Sequence, residues 1–141
     1  MQLTDKAREL AGACPCGSGK TFDLCCKPYL AGDAVPETAE QLMRSRYSAF
    51  VVEDVPYLKE TLWPKYQTFF NPEETATWAA ESHWTGLRVL ETWKGGVGDR
   101  EGRVLFEASY LAAGQLRTHR ELSQFRKRAG KWFYVEALPE K

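Results

Sequence analysis

All four cysteines of this 141-residue chain fall between positions 14 and 26. They form two close pairs, Cys14-x-Cys16 and Cys25-Cys26, joined by a short loop. Disulfide frameworks usually tie distant segments together, whereas two adjacent pairs can converge on one tetrahedral ion. We therefore expect a structural Zn²⁺ bound by all four thiolates, with no coordination position left open for catalysis. Two disulfides or four free thiols are the alternatives.

The loop between the cysteine pairs has a composition that suits a metal knuckle. Gly17 and Gly19 permit backbone angles that other residues resist, and Lys20 could offset negative charge on four thiolates. Residues 17–21 also look like the end of a phosphate-binding P-loop. That pattern, however, needs a glycine five positions before Gly19, where this chain has Cys14. We do not expect nucleotide binding here.

The segment from Cys14 to Cys26 resembles the SEC-C zinc motif. The match comprises both cysteine pairs, their spacing and the Gly-Ser-Gly-Lys loop. The motif is best known at the C-terminal tail of the SecA preprotein translocase, where it binds zinc and contacts protein partners. The resemblance implies the same two roles for residues 14–26.

Charge and hydropathy exclude several broad classes. The chain carries 19 basic and 19 acidic residues, so its formal net charge is zero. This argues against a protein that mainly coats nucleic acid or anionic membrane. No apolar run approaches the length of a membrane span, and the first 13 residues lack the apolar core of a signal peptide. We expect a cytoplasmic protein without a membrane partner.

Three helices are predicted after a linker at residues 28–37. The first follows Thr38, with Gln41 three residues later in capping-box spacing. The second spans residues 54–62 and ends at Trp63-Pro64. The third opens at Asn71-Pro72, an N-cap followed by proline at the first helical position, and runs to about residue 81.

Beyond Gly86 the pattern changes to the two-residue period of β-strands. Strands are predicted over residues 87–93, 103–112, 116–128 and 131–138, with short glycine-containing turns between them. Three hairpin connections in succession give an antiparallel meander. Helices first and strands after predict an α+β fold, with about three helices packed on one face of a curved antiparallel sheet. A small cysteine-rich zinc knuckle would precede it.

The segment from Leu42 to Phe50 resembles the signature of the YchJ-like family of bacterial proteins. Residues 86–87, 121–125 and 131–135 lie where that family carries similar stretches. The resemblance runs from about Cys14 to Leu138. It implies a nuclear-transport-factor-two-like fold, in which helices close over a bent sheet as a cone. It also implies a knuckle at residues 1–30 and a cone domain at residues 36–141. The family has no settled biochemical function.

Arg46 lies at the centre of an apolar helical stripe, flanked by Leu42, Met43, Ala49 and Phe50. A buried arginine paired with a carboxylate would explain this position. An anion-recognising group in a pocket would explain it as well. Tyr47 follows directly on the same helix.

On the third predicted strand, His119, Glu121 and Ser123 share one face. If that face lines the cone, these side chains and Arg46 could bind an anionic ligand or abstract a proton. Alternatively, Glu121 or the neighbouring Glu107 neutralises Arg46. The predicted pocket residues are Arg46, Tyr47, His119, Glu121 and Ser123.

The sequence thus supports three functions. The first is a zinc-binding adaptor that recognises a protein partner through the knuckle. The second is a binder of a small anionic ligand, or an enzyme, that uses the cone. The third is a ribosome- or RNA-associated factor that uses the knuckle and the basic run at residues 117–131. A solvated strand face explains that basic run more simply. No residue pattern singles out a nucleophile or base, so binding is favoured over catalysis. A homodimer is compatible with each.

Overall fold

The computed structural model describes residues 2–140 of the chain. Helices occupy the first part of this range and strands the second, as the sequence predicts. The α-helices are α1 Asp5–Glu9, α2 Lys27–Ala31, α3 Ala39–Val51, α4 Val55–Glu60 and α5 Pro72–Glu81. Two short 3₁₀ helices span Phe22–Leu24 and Pro64–Phe69. Within residues 2–140, no helix has the length and apolarity needed to cross a membrane.

Side-chain caps fix where the three main helices begin. The Thr38 hydroxyl accepts a hydrogen bond from the Gln41 amide at the start of α3 (3.1 Å). Asp54 caps α4 through the Tyr57 amide (3.1 Å), and Asn71 caps α5 through the Glu74 amide (3.0 Å). Each cap accepts a hydrogen bond from a backbone amide of the first turn, which has no acceptor within the helix itself. The predicted starts of α3 and α5 are therefore confirmed, and α4 is slightly shorter than expected.

Four antiparallel strands form one open sheet in the order of the chain. The strands are β1 His83–Lys94, β2 Glu101–Ala112, β3 Gln115–Arg128 and β4 Lys131–Leu138. The turn after β2 (Ala113-Gly114) and the turn after β3 (Ala129-Gly130) place both residues at positive φ, which is the geometry that matches the twist of tight hairpins. The predicted α+β class and meander are confirmed.

The sequence places the start of β1 too late. The strand begins at His83 instead of Leu87, and Gly86 lies inside it. The register with β2 shifts between Trp84 and Gly86, as is typical of a β-bulge. Thr85 is the residue without a partner at this bulge, and Gly86 follows it opposite Ser109. Gly86 therefore lies within the strand and is not the boundary that its composition suggests.

Close backbone contact joins the end of β1 to the start of β2. A Cβ atom added at Gly102 would lie 2.5 Å from the Cα atom of Gly95. Gly95 also adopts a φ of 80°, and its carbonyl accepts a hydrogen bond from the Ala39 amide (2.9 Å). This glycine pair lets the first hairpin pass directly beneath the start of α3.

A single core joins the cysteine-rich segment to the sheet domain. Leu42 and Ala49 of α3, Val104 of β2 and Phe125 of β3 are almost completely buried. Fully buried members of the same cluster come from the N-terminal segment: Ala7, Cys16, Phe22 and Leu30. The predicted linker at residues 28–37 is wrong at its beginning, because α2 extends to Ala31 and buries Leu30. Gly32 then ends this helix in the left-handed conformation.

Candidate metal centre and cone cavity

Backbone hydrogen bonds fold the cysteine-rich segment into a closed loop. The Cys14 amide donates to the Lys20 carbonyl (2.9 Å), and the Phe22 amide donates to the Gly12 carbonyl (2.9 Å). The Gly17 amide donates a hydrogen bond to the Cys14 carbonyl (3.2 Å). These contacts bring the two cysteine pairs together although a loop separates them in sequence.

The four cysteine sulfurs converge on one point. All four Sγ atoms lie within 4.8 Å of one another. The Sγ atoms of Cys16 and Cys25 are 3.6 Å apart, and those of Cys25 and Cys26 are 3.9 Å apart. Metal–thiolate bonds of 2.3 Å in a tetrahedron require sulfur separations of about 3.8 Å. The cluster could therefore bind a metal ion, and its four sulfurs are free of disulfide bonds.

Hydrogen bonds within the cluster distribute its protons unevenly. Hydrogen bonds from the thiols of Cys14 and Cys26 hold the pKa of Cys16 far below its ordinary value. Hydrogen bonds with Cys14 and Cys16 raise the pKa of Cys26, and burial raises that of Cys25 to about 11. The sulfurs thus share their protons with one another. A soft divalent cation would replace these protons, since thiolates are the metal-binding form.

Three neighbouring side chains support the cluster from outside. The Ser18 hydroxyl lies 3.1 Å from the Cys25 Sγ, and the buried Ser48 hydroxyl lies 3.6 Å from the Cys14 Sγ. Arg44 of α3 donates from Nη1 to the Cys16 carbonyl (2.6 Å). Such groups orient the ligands of a metal and tune its affinity.

Arg44 is a residue of the candidate metal site that the sequence does not indicate. The sequence points to Lys20 as the cation that offsets thiolate charge, but Lys20 is exposed. Burial lowers the pKa of Arg44, yet the Glu40 carboxylate and Cys16 outweigh this and raise it overall. The available signal was its position outside the apolar stripe of α3, which leaves it free to face another segment.

A groove of about 240 Å³ opens beside the cluster. Its lining includes Lys20, Leu24 and Tyr29 from the N-terminal segment and Arg44 from α3. Phe22, at the start of the first 3₁₀ helix, is completely buried, whereas Leu24 at its end is 78% exposed. The knuckle therefore presents a large apolar side chain to solvent.

A second concavity lies between α3, α5 and the sheet. It has a volume of about 310 Å³. The structure brings all five predicted pocket residues to its wall: Arg46, Tyr47, His119, Glu121 and Ser123. The remaining walls include Phe50, Trp78, Trp84, Phe106 and Tyr134. From the sequence, Trp78, Trp84 and Tyr134 are rings that could stack on a flat ligand, although packing in the core is the favoured role. Phe50 and Phe106 are not indicated by the sequence as walls of a pocket.

Three donors surround the Glu121 carboxylate. His119 Nε2 lies 3.0 Å from Oε1, while Ser123 Oγ and Tyr134 Oη donate to Oε2 at 2.5 Å and 2.8 Å. Burial alone would raise the pKa of Glu121, but these three hydrogen bonds outweigh it and lower the pKa. In return, the hydrogen bond with Glu121 raises the pKa of His119.

Arg46 contacts carbonyl, hydroxyl and aromatic groups. Its Nη1 donates to the Leu58 carbonyl (2.9 Å) and to the Thr61 hydroxyl (2.6 Å). Its guanidinium carbon lies 4.8 Å from the centre of the Tyr134 ring. Burial lowers the pKa of Arg46 to about 10.

The ion pair that the sequence suggests between Arg46 and a carboxylate does not form within residues 2–140. No carboxylate of that range lies within ion-pair distance of the guanidinium. Glu121 is bound by its own three donors, and Glu107 lies near Arg88 (3.7 Å) and Arg120 (3.1 Å). Neither glutamate therefore forms an ion pair with Arg46, although the charge of Glu121 still favours the charged guanidinium.

Several members of the basic run at residues 117–131 have local partners. Arg120 binds both Glu107 and Glu140. The guanidinium of Arg126 lies over Trp63, and Lys127 donates to the Val97 carbonyl (2.6 Å). The run is thus partly engaged within the protein, and its role as a nucleic-acid surface stays a prediction.

An NTF2-like α+β domain with a four-cysteine SEC-C segment at its N-terminal side defines the class of this protein. The family model described as the middle, NTF2-like domain of YchJ matches residues 38–137. The SEC-C motif model matches residues 13–28. The chain belongs to the YchJ-like family, and it contains a SEC-C motif. Both resemblances inferred from the sequence are confirmed.

Similar proteins and structures agree with this assignment. A UPF0225 protein of Geobacter sulfurreducens is 42% identical over 90% of this chain and 79% of its own. The UPF0225 protein YchJ of Shigella dysenteriae is 39% identical over 87% of this chain and 80% of its own. The solution structure of a SEC-C motif containing protein from Rhodopseudomonas palustris superposes with a TM-score of 0.83 at 39% identity. It covers 91% of this chain and 98% of that one.

Proposed function

We propose that this protein binds one structural Zn²⁺ through its four cysteines and uses the resulting knuckle to recognise a protein partner. The donor set supports zinc, because four thiolates in tetrahedral proximity are typical of closed structural zinc sites. Cys14, Cys16 and Cys26 are buried, and Cys25 is partly exposed. Four thiolates fill the coordination sphere, so the metal stabilises the loop and takes no part in catalysis.

The exposed Leu24 is the observation that carries the adaptor function. It ends the 3₁₀ helix that connects the two cysteine pairs, directly before Cys25. A metal-bound loop holds this side chain in one place, so binding a partner requires little further ordering. Lys20, exposed on the same groove, favours an acidic residue in the partner. We therefore expect a partner segment that combines an apolar side chain with a neighbouring acidic one.

Site-specific photo-crosslinking tests this function. A photoreactive amino acid replaces Leu24 in one variant and Phe69 in the control. Phe69 is matched, since it is 82% exposed and also ends a 3₁₀ helix. We expect a discrete protein adduct from position 24 only, which disappears when the metal is removed with a chelator.

The partner identified from that adduct is then purified and its affinity measured. Leu24→Asp should weaken binding by about tenfold or more, whereas Phe69→Asp should leave it unchanged. Equal crosslinking from both positions, or an adduct that survives complete metal removal, would contradict a metal-dependent knuckle interface.

A cytoplasmic location follows from the same chemistry. Thiolate ligands must stay reduced, and bacterial cytoplasm keeps cysteines reduced whereas the periplasm oxidises them. Fractionation of cells that express the tagged full-length protein should recover it in the cytoplasmic fraction. Recovery in the periplasmic fraction with oxidised cysteines would contradict the proposed zinc site.

A further inference from the structure

Arg46 lines the cavity between α3, α5 and the sheet, and only one of its three guanidinium nitrogens donates hydrogen bonds within residues 2–140. Arg46 donates from Nη1 to two acceptors, Leu58 and Thr61. Its Nε and Nη2 atoms have no hydrogen-bond partner within residues 2–140, and neither atom is among the fully buried, unpaired polar atoms of that range. The two atoms therefore retain some solvent-accessible surface, on a partly buried residue that lines the cavity.

Nε and Nη2 are the pair that a planar carboxylate binds side-on. Arg120 of the same chain shows this geometry, because its Nε and Nη2 contact the Glu140 carboxylate at 3.0 Å and 2.6 Å. Guanidinium–carboxylate forks of this kind are strong and directional. At Arg46 the corresponding fork has no carboxylate from residues 2–140, since Glu121 is already bound by His119, Ser123 and Tyr134.

The rest of the wall is suited to a flat, apolar group. Phe50 and Trp78 meet edge-to-face at 5.2 Å, and Trp78 meets Trp84 in the same way at 5.2 Å. Phe106 lies 6.1 Å from the His119 ring. Aromatic rings arranged in this manner pack against the face and edge of another ring. A volume of about 310 Å³ corresponds to the lower end of small-molecule sites.

We propose that this cavity binds a small aromatic carboxylate. The carboxylate occupies the Nε and Nη2 fork of Arg46, and one or two fused rings pack against Trp78, Trp84 and Phe106. This site is separate from the cysteine cluster. It requires neither the metal nor the partner of the knuckle, so either proposal can fail without the other.

Matched acid and amide probes test the charge requirement on the unmodified, metal-loaded full chain. The probes are phenylacetate and indole-3-acetate, each compared with its neutral amide. Calorimetry reports the binding of all four probes. Tryptophan fluorescence reports the binding of phenylacetate and its amide only, since two tryptophans line the cavity and an indole probe would itself fluoresce. We expect each acid to bind about tenfold or more tightly than its amide. No binding of either acid at millimolar concentration, or equal binding of acid and amide, would overturn the proposal.

Two pairs of variants test the location. Trp78→Ala removes a cavity wall, and Trp93→Ala is its control, because these residues are similarly exposed at 40% and 42% but only Trp78 lines the cavity. Arg46→Lys removes the fork and keeps the charge, with Arg126→Lys as control outside the cavity. Circular dichroism and thermal unfolding verify that each variant folds.

The cavity variants should weaken acid binding by about tenfold and the controls should not. An equal loss of affinity for the acids in Trp78→Ala and Trp93→Ala would place the binding site elsewhere and overturn the proposal. If Arg46→Lys fails to fold, the tryptophan pair and the acid–amide comparison still decide the question.

Discussion

The Nη1 atom of Arg44 lies 2.6 Å from the main-chain oxygen of Cys16. This contact joins the longest helix that the structure describes to a residue of the cysteine cluster. A charged donor on a partly buried carbonyl contributes more than a neutral hydrogen bond does. The knuckle is therefore fixed to the cone domain by a specific polar contact as well as by the shared apolar core.

Arg44→Met should destabilise the protein by about 1.5–3 kcal/mol, the range for hydrogen bonds to charged groups. Glu40→Gln is the matched control, because it removes the carboxylate that binds Arg44 one turn away on the same helix and leaves the Cys16 contact. Glu40→Gln should lower the free energy of unfolding by less than about 0.5 kcal/mol. Urea unfolding measures both values. Equal costs for the two variants would show that the Cys16 contact does not contribute.

Loss of the metal should loosen the knuckle before the sheet. Cys16→Ser removes one ligand from the centre of the cluster, and a chelator removes the metal from the unmodified chain. Hydrogen exchange should accelerate at the amides of Cys14 and Phe22, whose bonds close the loop, while β2 and β3 amides stay protected. Unchanged protection at both amides after complete metal removal would contradict a metal-dependent loop.

Replacement of Gly102 by alanine should strongly destabilise the first hairpin. The added Cβ would meet the Cα atom of Gly95 at 2.5 Å, so the backbone would have to move. We expect a cost of about 2 kcal/mol or more. Gly98→Ala is the control, since a Cβ there has no neighbour within 4 Å and the φ angle is not positive. Thermal unfolding that is equally affected by both substitutions would refute the close backbone contact.

The His119–Glu121 pair should make stability depend on pH. The hydrogen bond raises the pKa of His119, so its contribution is complete below about pH 6.5 and is lost as the pH rises through the folded-state pKa. The pKa of Glu121 is lowered, so its contribution is complete above about pH 4.5 and is lost at lower pH. The His119–Glu121 pair therefore stabilises the fold most between about pH 4.5 and about pH 6.5.

His119→Gln should consequently cost more near about pH 5.5 than near about pH 8.5. The difference should be at most about 1 kcal/mol, because the imidazole is partly exposed to solvent. Denaturant unfolding of both proteins at the two pH values measures it. A larger cost at the higher pH would contradict the direction of the His119 shift.

Local signals predicted most of the fold. Thr38 and Asn71 are strong N-caps, so they mark the starts of α3 and α5 from sequence alone. The glycine turns before and after β3 likewise set the strand limits. Gly86 misled the prediction, because a glycine beside a bulge cannot be distinguished by sequence from a glycine at a strand boundary. Pairing partners, which only the folded chain provides, distinguish the two cases.

Long-range contacts explain what the sequence missed at the cavity. Tyr134 reaches Glu121 and Arg46 because β4 pairs with β3 through a register shift next to Phe125. The segment at residues 61–63 also binds Tyr134 backbone groups, which places Thr61 near Arg46. Neither the shift nor this edge contact has a local sequence signal. The strand periodicity alone therefore identified His119, Glu121 and Ser123 as one face but not the tyrosine above them.

Zinc content per chain, measured together with a titration of free thiols, tests the central claim most directly. The protein is purified without added metal under reducing conditions. Four convergent sulfurs predict one zinc per chain, with four reactive thiols appearing when the metal is displaced. Four thiols that react freely without any bound metal, even after incubation with zinc, would contradict the proposed zinc knuckle.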